Sequence, residues 1–161
     1  MKEIVKPLMQ WYAKHARTLP WRSDPTPYHV WLSEIMLQQT RVEAVIGYYD
    51  RFLEELPDVQ SLAAVSEERL LKLWEGLGYY NRARNLQKAA VQICEQYQGK
   101  FPESYEEWLA LPGIGAYTAG AVTSIAFGKK EAAVDGNVYR IYTRLYADDT
   151  EISKTAFQRN V

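Results

Sequence analysis

Cysteine is almost absent: Cys94 is the only one in 161 residues. That excludes an internal disulfide, a four-cysteine zinc site and an iron–sulfur cluster ligated by this chain alone. Histidine is nearly as scarce, and His15 and His29 cannot build a histidine-rich metal site, so no metal is expected. No apolar run is long enough to cross a bilayer and no secretory pattern opens the chain, which predicts no membrane partner and a cytoplasmic location. No stretch alternates with a strand period over a useful length, and the predicted fold class is all-α. An excess of one charge is lacking too, since the formal net charge is −1. The charges are unevenly placed, however. Tyr79 to Lys100 carries Arg82, Arg84, Lys88 and Lys100 against Glu95, and Glu43 to Glu68 carries seven acids against Arg51. A near-neutral total therefore hides a basic flank, while solvated helix faces account for the acidic run.

What the chain does have is a succession of helical patterns with no long linker, repeat or low-complexity tract. Residues 4–15 place Ile4, Leu8, Trp11 and Tyr12 on one side, with Pro7 in the first turn. Leu19 to Pro27 holds three prolines and reads as a loop. Helices follow over Tyr28–Gln39, Arg41–Leu56 and a short stretch near Val59–Val65, and then after Ser66, an N-cap with Glu67 and Glu68 behind it. Gly76-Leu77-Gly78-Tyr79-Tyr80 breaks that last helix before one over Asn81–Tyr97. Gly136–Tyr146 reads as a further helix with Val138, Ile141, Tyr142 and Leu145 inward. Thr155 to Val161 begins like a helix with neither cap nor stop, the pattern expected of a truncated chain.

The centre of this organisation is Leu111 to Arg140. Ser104 with Glu107 makes a capping-box pattern ahead of Leu111-Pro112-Gly113-Ile114-Gly115, and Ala116–Phe127 then runs as a helix to Gly128. Glycines at Gly113 and Gly115 let an anion approach the backbone, where free N–H groups of the next helix and its dipole favour it. Such a hairpin is either a plain turn or a grip on a nucleic-acid backbone that reads no sequence.

Two carboxyls stand out. Glu34 lies in Val30-Trp31-Leu32-Ser33-Glu34-Ile35-Met36-Leu37, apolar on almost every side. Either it faces water, bonded to Gln38, or it is buried with a pKa raised toward that of a useful acid. Asp135 lies at a helix start, where N–H groups and the dipole favour the ionised form; it is either an ordinary N-cap or a stabilising carboxylate. Environments that push two carboxyls apart in pKa suit cleavage of a bond at an anomeric carbon. In DNA that is the N-glycosidic bond.

LPGIG followed by VDGN resembles the helix–hairpin–helix DNA glycosylases. VWLSEIMLQQT, WEGLGYYNRARNL and LPWR look, within them, like MutY-type adenine DNA glycosylases. The resemblance runs from about Trp11 to Tyr146. It implies a multi-helix domain with a cleft between two helical subdomains, roughly residues 25–130 forming a central module with the hairpin and 1–24 with 131–161 an incomplete second one. It implies excision of a flipped adenine, mispaired with 8-oxoguanine or guanine, from double-stranded DNA by an enzyme expected to act as a monomer. By motif, Glu34 would protonate the adenine and Asp135 would stabilise the sugar cation, with Tyr117 and Asn137 assisting. Trp21 and Arg22 would line the adenine pocket, and Gln39 and Tyr79 would enter the duplex near the lesion. Leu111, Gly113 and Gly115, with Arg82, Arg84 and Lys88, would meet the DNA backbone. The family's 4Fe-4S cluster and lesion-reading domain are expected only downstream of Val161, leaving no cofactor in this chain. Two other readings stay open: an endonuclease-III-like glycosylase/lyase, in which a lysine stands where Tyr117 is, and a non-catalytic helix–hairpin–helix module.

Overall fold

The computed structural model describes residues 2–149, so the expected helix start over Thr155–Val161 lies outside the described residues. Among the described residues ten helices follow one another: α1 (Lys2–His15), α2 (Pro20–Ser23), α3 (Pro27–Leu37), α4 (Val42–Glu55), α5 (Val59–Ala64), α6 (Glu67–Leu73), α7 (Asn81–Tyr97), α8 (Tyr105–Leu109), α9 (Ala116–Phe127) and α10 (Gly136–Tyr146). No strand occurs among the described residues.

The apolar sequence of α3 dictates its central place. Thr26 caps it, accepting from the His29 N–H at 3.2 Å, and Pro27 occupies the first turn, where its missing N–H costs nothing. The helix packs against α2, α4, α7 and α9, and it buries Tyr28, Val30, Trp31, Leu32, Ile35 and Met36. Trp31 is fully enclosed and meets Trp108 of α8 edge-on at 5.7 Å, while Trp108 donates from Nε1 to Pro102 O at 2.7 Å. The pair packs edge to face, and the Trp108 bond to Pro102 ties α8 to the segment before it, while the buried Trp31 Nε1 has no hydrogen-bond partner among the described residues.

α9 meets α3 through small side chains, Thr118, Ala119, Ala121, Val122 and Thr123, which let the two backbones approach closely. It ends as expected at Gly128, with φ +66. The Ser104–Glu107 capping box and the Ser66 cap also form.

Two expectations need correction. The proline-rich stretch is not all loop, because Pro20 opens the one-turn helix α2 and Trp21 within it is buried. The face of α10 expected inward is exposed: Ile141 is 56% accessible, and Val138 and Leu145 are exposed too. The amphipathic helix expected over residues 4–15 forms as α1, and its stripe of Ile4, Leu8, Trp11 and Tyr12 is exposed. Periodicity shows that a helix has an apolar face, and only the fold shows what covers it.

Candidate active site

Residues of α2, α3 and α9 and of the start of α10 line one cleft of about 670 Å³. Glu34, Tyr117, Asp135, Asn137, Trp21 and Arg22 all line this cleft. Glu34 comes from the middle of α3, where its helix leaves it half-buried. Burial pushes its carboxyl pKa above the ordinary glutamate range. The Tyr117 hydroxyl and the Arg22 charge act against that rise, and the Asp135 charge adds to it. Burial also raises the Tyr117 phenol, with the neighbouring Glu34 charge second. Tyr117 therefore remains a neutral donor beside the acid.

Asp135 is held quite differently. It caps α10: Oδ1 accepts from the N–H groups of Asn137 and Val138, both at 2.9 Å, and Oδ2 accepts from Asn137 Nδ2 at 2.7 Å. Asn137 is fixed in turn by Arg140, which donates to its Oδ1. The capping arrangement and the cleft-lining position coexist, since the same carboxylate serves both. Arg22 is steadied by donating to Arg17 O at 3.2 Å and by lying over the Tyr12 ring at 5.8 Å. Buried Trp21, which lines the cleft, meets Tyr49 behind it edge-on at 5.3 Å.

Several residues of the site escaped the sequence reading. Tyr12, Arg17, Ser33, Thr40 and Ile125 also line the cleft. Gly120 does not touch it but determines its shape: a Cβ there would stand 2.2 Å from Ala132 O and 2.9 Å from Ala132 C. The segment leading to Asp135 thus lies directly on the α9 backbone. A glycine inside a helix of good helix formers was the available signal, because it weakens the helix unless close approach requires it.

The hairpin's two glycines serve different ends. Gly113 has φ +75, and a Cβ on it would meet Asn85 Cβ at 2.6 Å, so the fold itself requires glycine there. Gly115 has extended backbone with φ −101, and a Cβ on it would meet nothing within 4 Å. Gly115 N-caps α9 without a side-chain bond, leaving the first N–H groups of α9 uncapped at an open surface. Leu111 and Ile114 are buried, anchoring the turn, with Ile114 N donating to Leu111 O at 3.2 Å.

The basic flank is smaller than its sequence suggested. Arg82 turns inward, its two terminal nitrogens donating to the carbonyls of Ile35, Met36, Gln38, Leu77 and Gly78, so it is not a free phosphate ligand. Arg84 pairs with Glu67 at 2.6 Å, and Lys88 stays exposed. Gln39 and Tyr79 are both exposed and lie outside the cleft lining, at φ +56 and +47. The Cys94 thiol, half-buried on α7, is directed at Val59 O at 3.8 Å, and no group of metal-binding side chains occurs among the described residues. One cysteine is not the donor set of a 4Fe-4S cluster. No described helix is long and apolar enough to cross a membrane.

Comparison with known proteins adds to this geometry. A family model described as "HhH-GPD superfamily base excision DNA repair protein" matches residues 32–161. The adenine DNA glycosylases of Mus musculus and Homo sapiens are each 45% identical over 157 residues, covering 92% of this chain and 30% and 29% of their own. That of Buchnera aphidicola subsp. Baizongia pistaciae is 45% identical over 141 residues, 87% of this chain and 40% of its own. The chain thus spans well under half the length of the curated relatives it matches. Among solved structures, a thermostable thymine-DNA glycosylase superposes with a TM-score of 0.89 at 29% identity, covering 96% of this chain and 73% of that one. A non-covalent endonuclease III–DNA complex gives 0.77 at 28% identity, covering 92% and 72%.

Proposed function

The chain belongs to the HhH-GPD superfamily of base excision DNA repair proteins, and from that premise we propose that its cleft removes adenine, mispaired with 8-oxoguanine or guanine, from double-stranded DNA. The observation that carries this reading is the meeting of Glu34 and Asp135. They lie about a hundred residues apart in the chain, yet they line one cleft in contrasting environments. The identity to adenine DNA glycosylases over most of the chain points the same way.

The reaction is hydrolysis of an N-glycosidic bond. A flipped adenine enters between Trp21, Arg22 and Glu34. The protonated Glu34 gives its proton to a ring nitrogen as the bond electrons leave with the base. Positive charge then develops on the sugar, beside the Asp135 carboxylate, which stabilises it or briefly bonds to it. Water supplies the hydroxyl that completes the sugar and the proton that restores Glu34. Tyr117 and Asn137 keep the two carboxyls in place. The enzyme would act as a monomer in the cytoplasm.

Phosphate would be held by the uncapped N–H groups of α9 past Gly115. Gly115→Val fills space that the protein leaves empty. It is expected to weaken binding to every duplex by about tenfold in a titration, whatever the base pair, because backbone contacts carry no sequence information. Loss confined to the mispaired duplex would contradict this role of the hairpin.

The testing experiment is single-turnover excision on a duplex with one adenine opposite 8-oxoguanine. Adenine release is expected, and none is expected from a cytosine opposite 8-oxoguanine. A folded chain that binds the duplex but releases no adenine would remove the reading. The same reaction run with borohydride separates it from a lyase. An amine is required for an imine, and Tyr117 offers a phenol, so trapping on abasic DNA should stay at the level of scattered surface lysines. Efficient trapping at a single cleft residue would move the chain toward the endonuclease-III-like branch.

A further inference from the structure

Gln39 and Tyr79 are the two exposed side chains expected to enter the duplex, and both have left-handed backbone. Such conformations at non-glycine residues last only where the surroundings enforce them. Here one side chain enforces both. Arg82 Nη1 donates to Gln38 O at 2.5 Å, Ile35 O at 2.9 Å and Met36 O at 3.1 Å, which are carbonyls at and just past the end of α3. Arg82 Nη2 donates to Leu77 O at 3.0 Å and Gly78 O at 3.3 Å, with Thr40 Oγ1 at 3.4 Å. The peptide before Gln39 and the peptide before Tyr79 are therefore fixed by one planar group. Its carbon also lies 5.5 Å from the centroid of the Tyr79 ring.

We propose that Arg82 is a positioning residue that makes Gln39 and Tyr79 a single two-pronged wedge of fixed spacing, so that opening of the base stack at one prong and extrusion of the adenine at the other occur together. This rests on the reading that both prongs enter the duplex. Lysine cannot replace the guanidinium. It has three donors at one point, whereas the clamp needs a flat fork that reaches two loops at once. Arg82 has no contact with the cleft carboxyls, and its effect acts on extrusion rather than on bond cleavage.

The test uses the full chain and its Arg82→Lys variant on a duplex with 2-aminopurine opposite 8-oxoguanine, whose fluorescence rises when the base unstacks. Binding is read by titration, and excision is read on the adenine duplex. Arg82→Lys is expected to bind within about threefold of the parent yet extrude the base about tenfold less, since extrusion carries its own energetic cost. Hydrogen exchange should quicken at residues 38–40 and 76–80 while the α7 core amides keep their protection. Unchanged extrusion, or uniform loss of protection throughout, overturns the clamp. A parent that extrudes without excising defeats only the catalytic reading; a parent that does not extrude defeats the wedge and the clamp together. Should Arg82→Lys fail to fold, Thr40→Val removes one acceptor of the clamp, and the same ratio of extrusion to binding is read with a smaller expected drop; no drop there overturns the clamp.

Discussion

Glu34→Gln should lower adenine excision by at least about a hundredfold, the lower range of what a positioned general acid contributes. Binding of the duplex should stay within a few-fold. The substitution keeps the shape of a side chain set in an apolar helix, and it replaces the acidic hydroxyl with an amide that cannot deliver a proton. Burial raises the carboxyl pKa most, helped by Asp135 and opposed by Tyr117 and Arg22. A raised folded-state pKa has a definite sign in the linkage between protonation and folding. Glu34 favours the fold below the ordinary glutamate pKa, and that contribution is lost as pH rises through the elevated value. The ionised carboxyl is thus a burden at neutral pH, and Gln should melt at the same or a higher temperature than the parent there. Parent excision should fall across that same rise in pH. Single-turnover rates across pH, with thermal melting of both proteins, check both parts. Excision within a few-fold of the parent would leave the cleft without its acid.

The sequence made much of this legible, and the reasons differ from element to element. α7, α9 and α10 have the bounds that their caps and stops imply, because Gly128 and the Asp135 cap act within a single turn. Glu34 was conspicuous because a carboxyl in an apolar helix is costly wherever it points. Its partnership with Asp135 was not a local fact: contrasting environments and the family motifs suggested it, and only the fold brings the two to one cleft. Arg82 misled because sequence shows a cation without showing its direction; the fold turns it onto backbone carbonyls. The exposed face of α10 misled for a similar reason, since a stripe of Ile141 and Leu145 predicts a partner and does not supply one.

Gly120 was the least legible residue, and the effect of replacing it should be among the largest. Its α carbon faces the backbone of Ala132 and Ala133, and an added Cβ would stand 2.2 Å from Ala132 O, 2.9 Å from Ala132 C and 3.4 Å from Ala133 N. These are main-chain atoms, and no rotamer change relieves them. The segment 129–134 must move off α9, and it carries Asp135 with it. Glu34 stays behind, since α3 packs on α9 through that helix's other small residues. A displacement of about 1 Å between reacting groups costs on the order of a hundredfold in rate. Alanine also favours the helix by about 1 kcal/mol over glycine, which offsets part of the clash in the folding balance. Gly120→Ala should therefore lose about a hundredfold in excision, with a melting temperature that falls much less than a loss of that size would suggest. Binding should fall little, because the hairpin backbone at Gly113 to Gly115 precedes the displaced segment. Single-turnover excision beside thermal melting tests the separation of the two effects. Parent-like excision would show that Asp135 keeps its place without the close approach, and a collapse of melting and excision together would make Gly120 a packing residue alone.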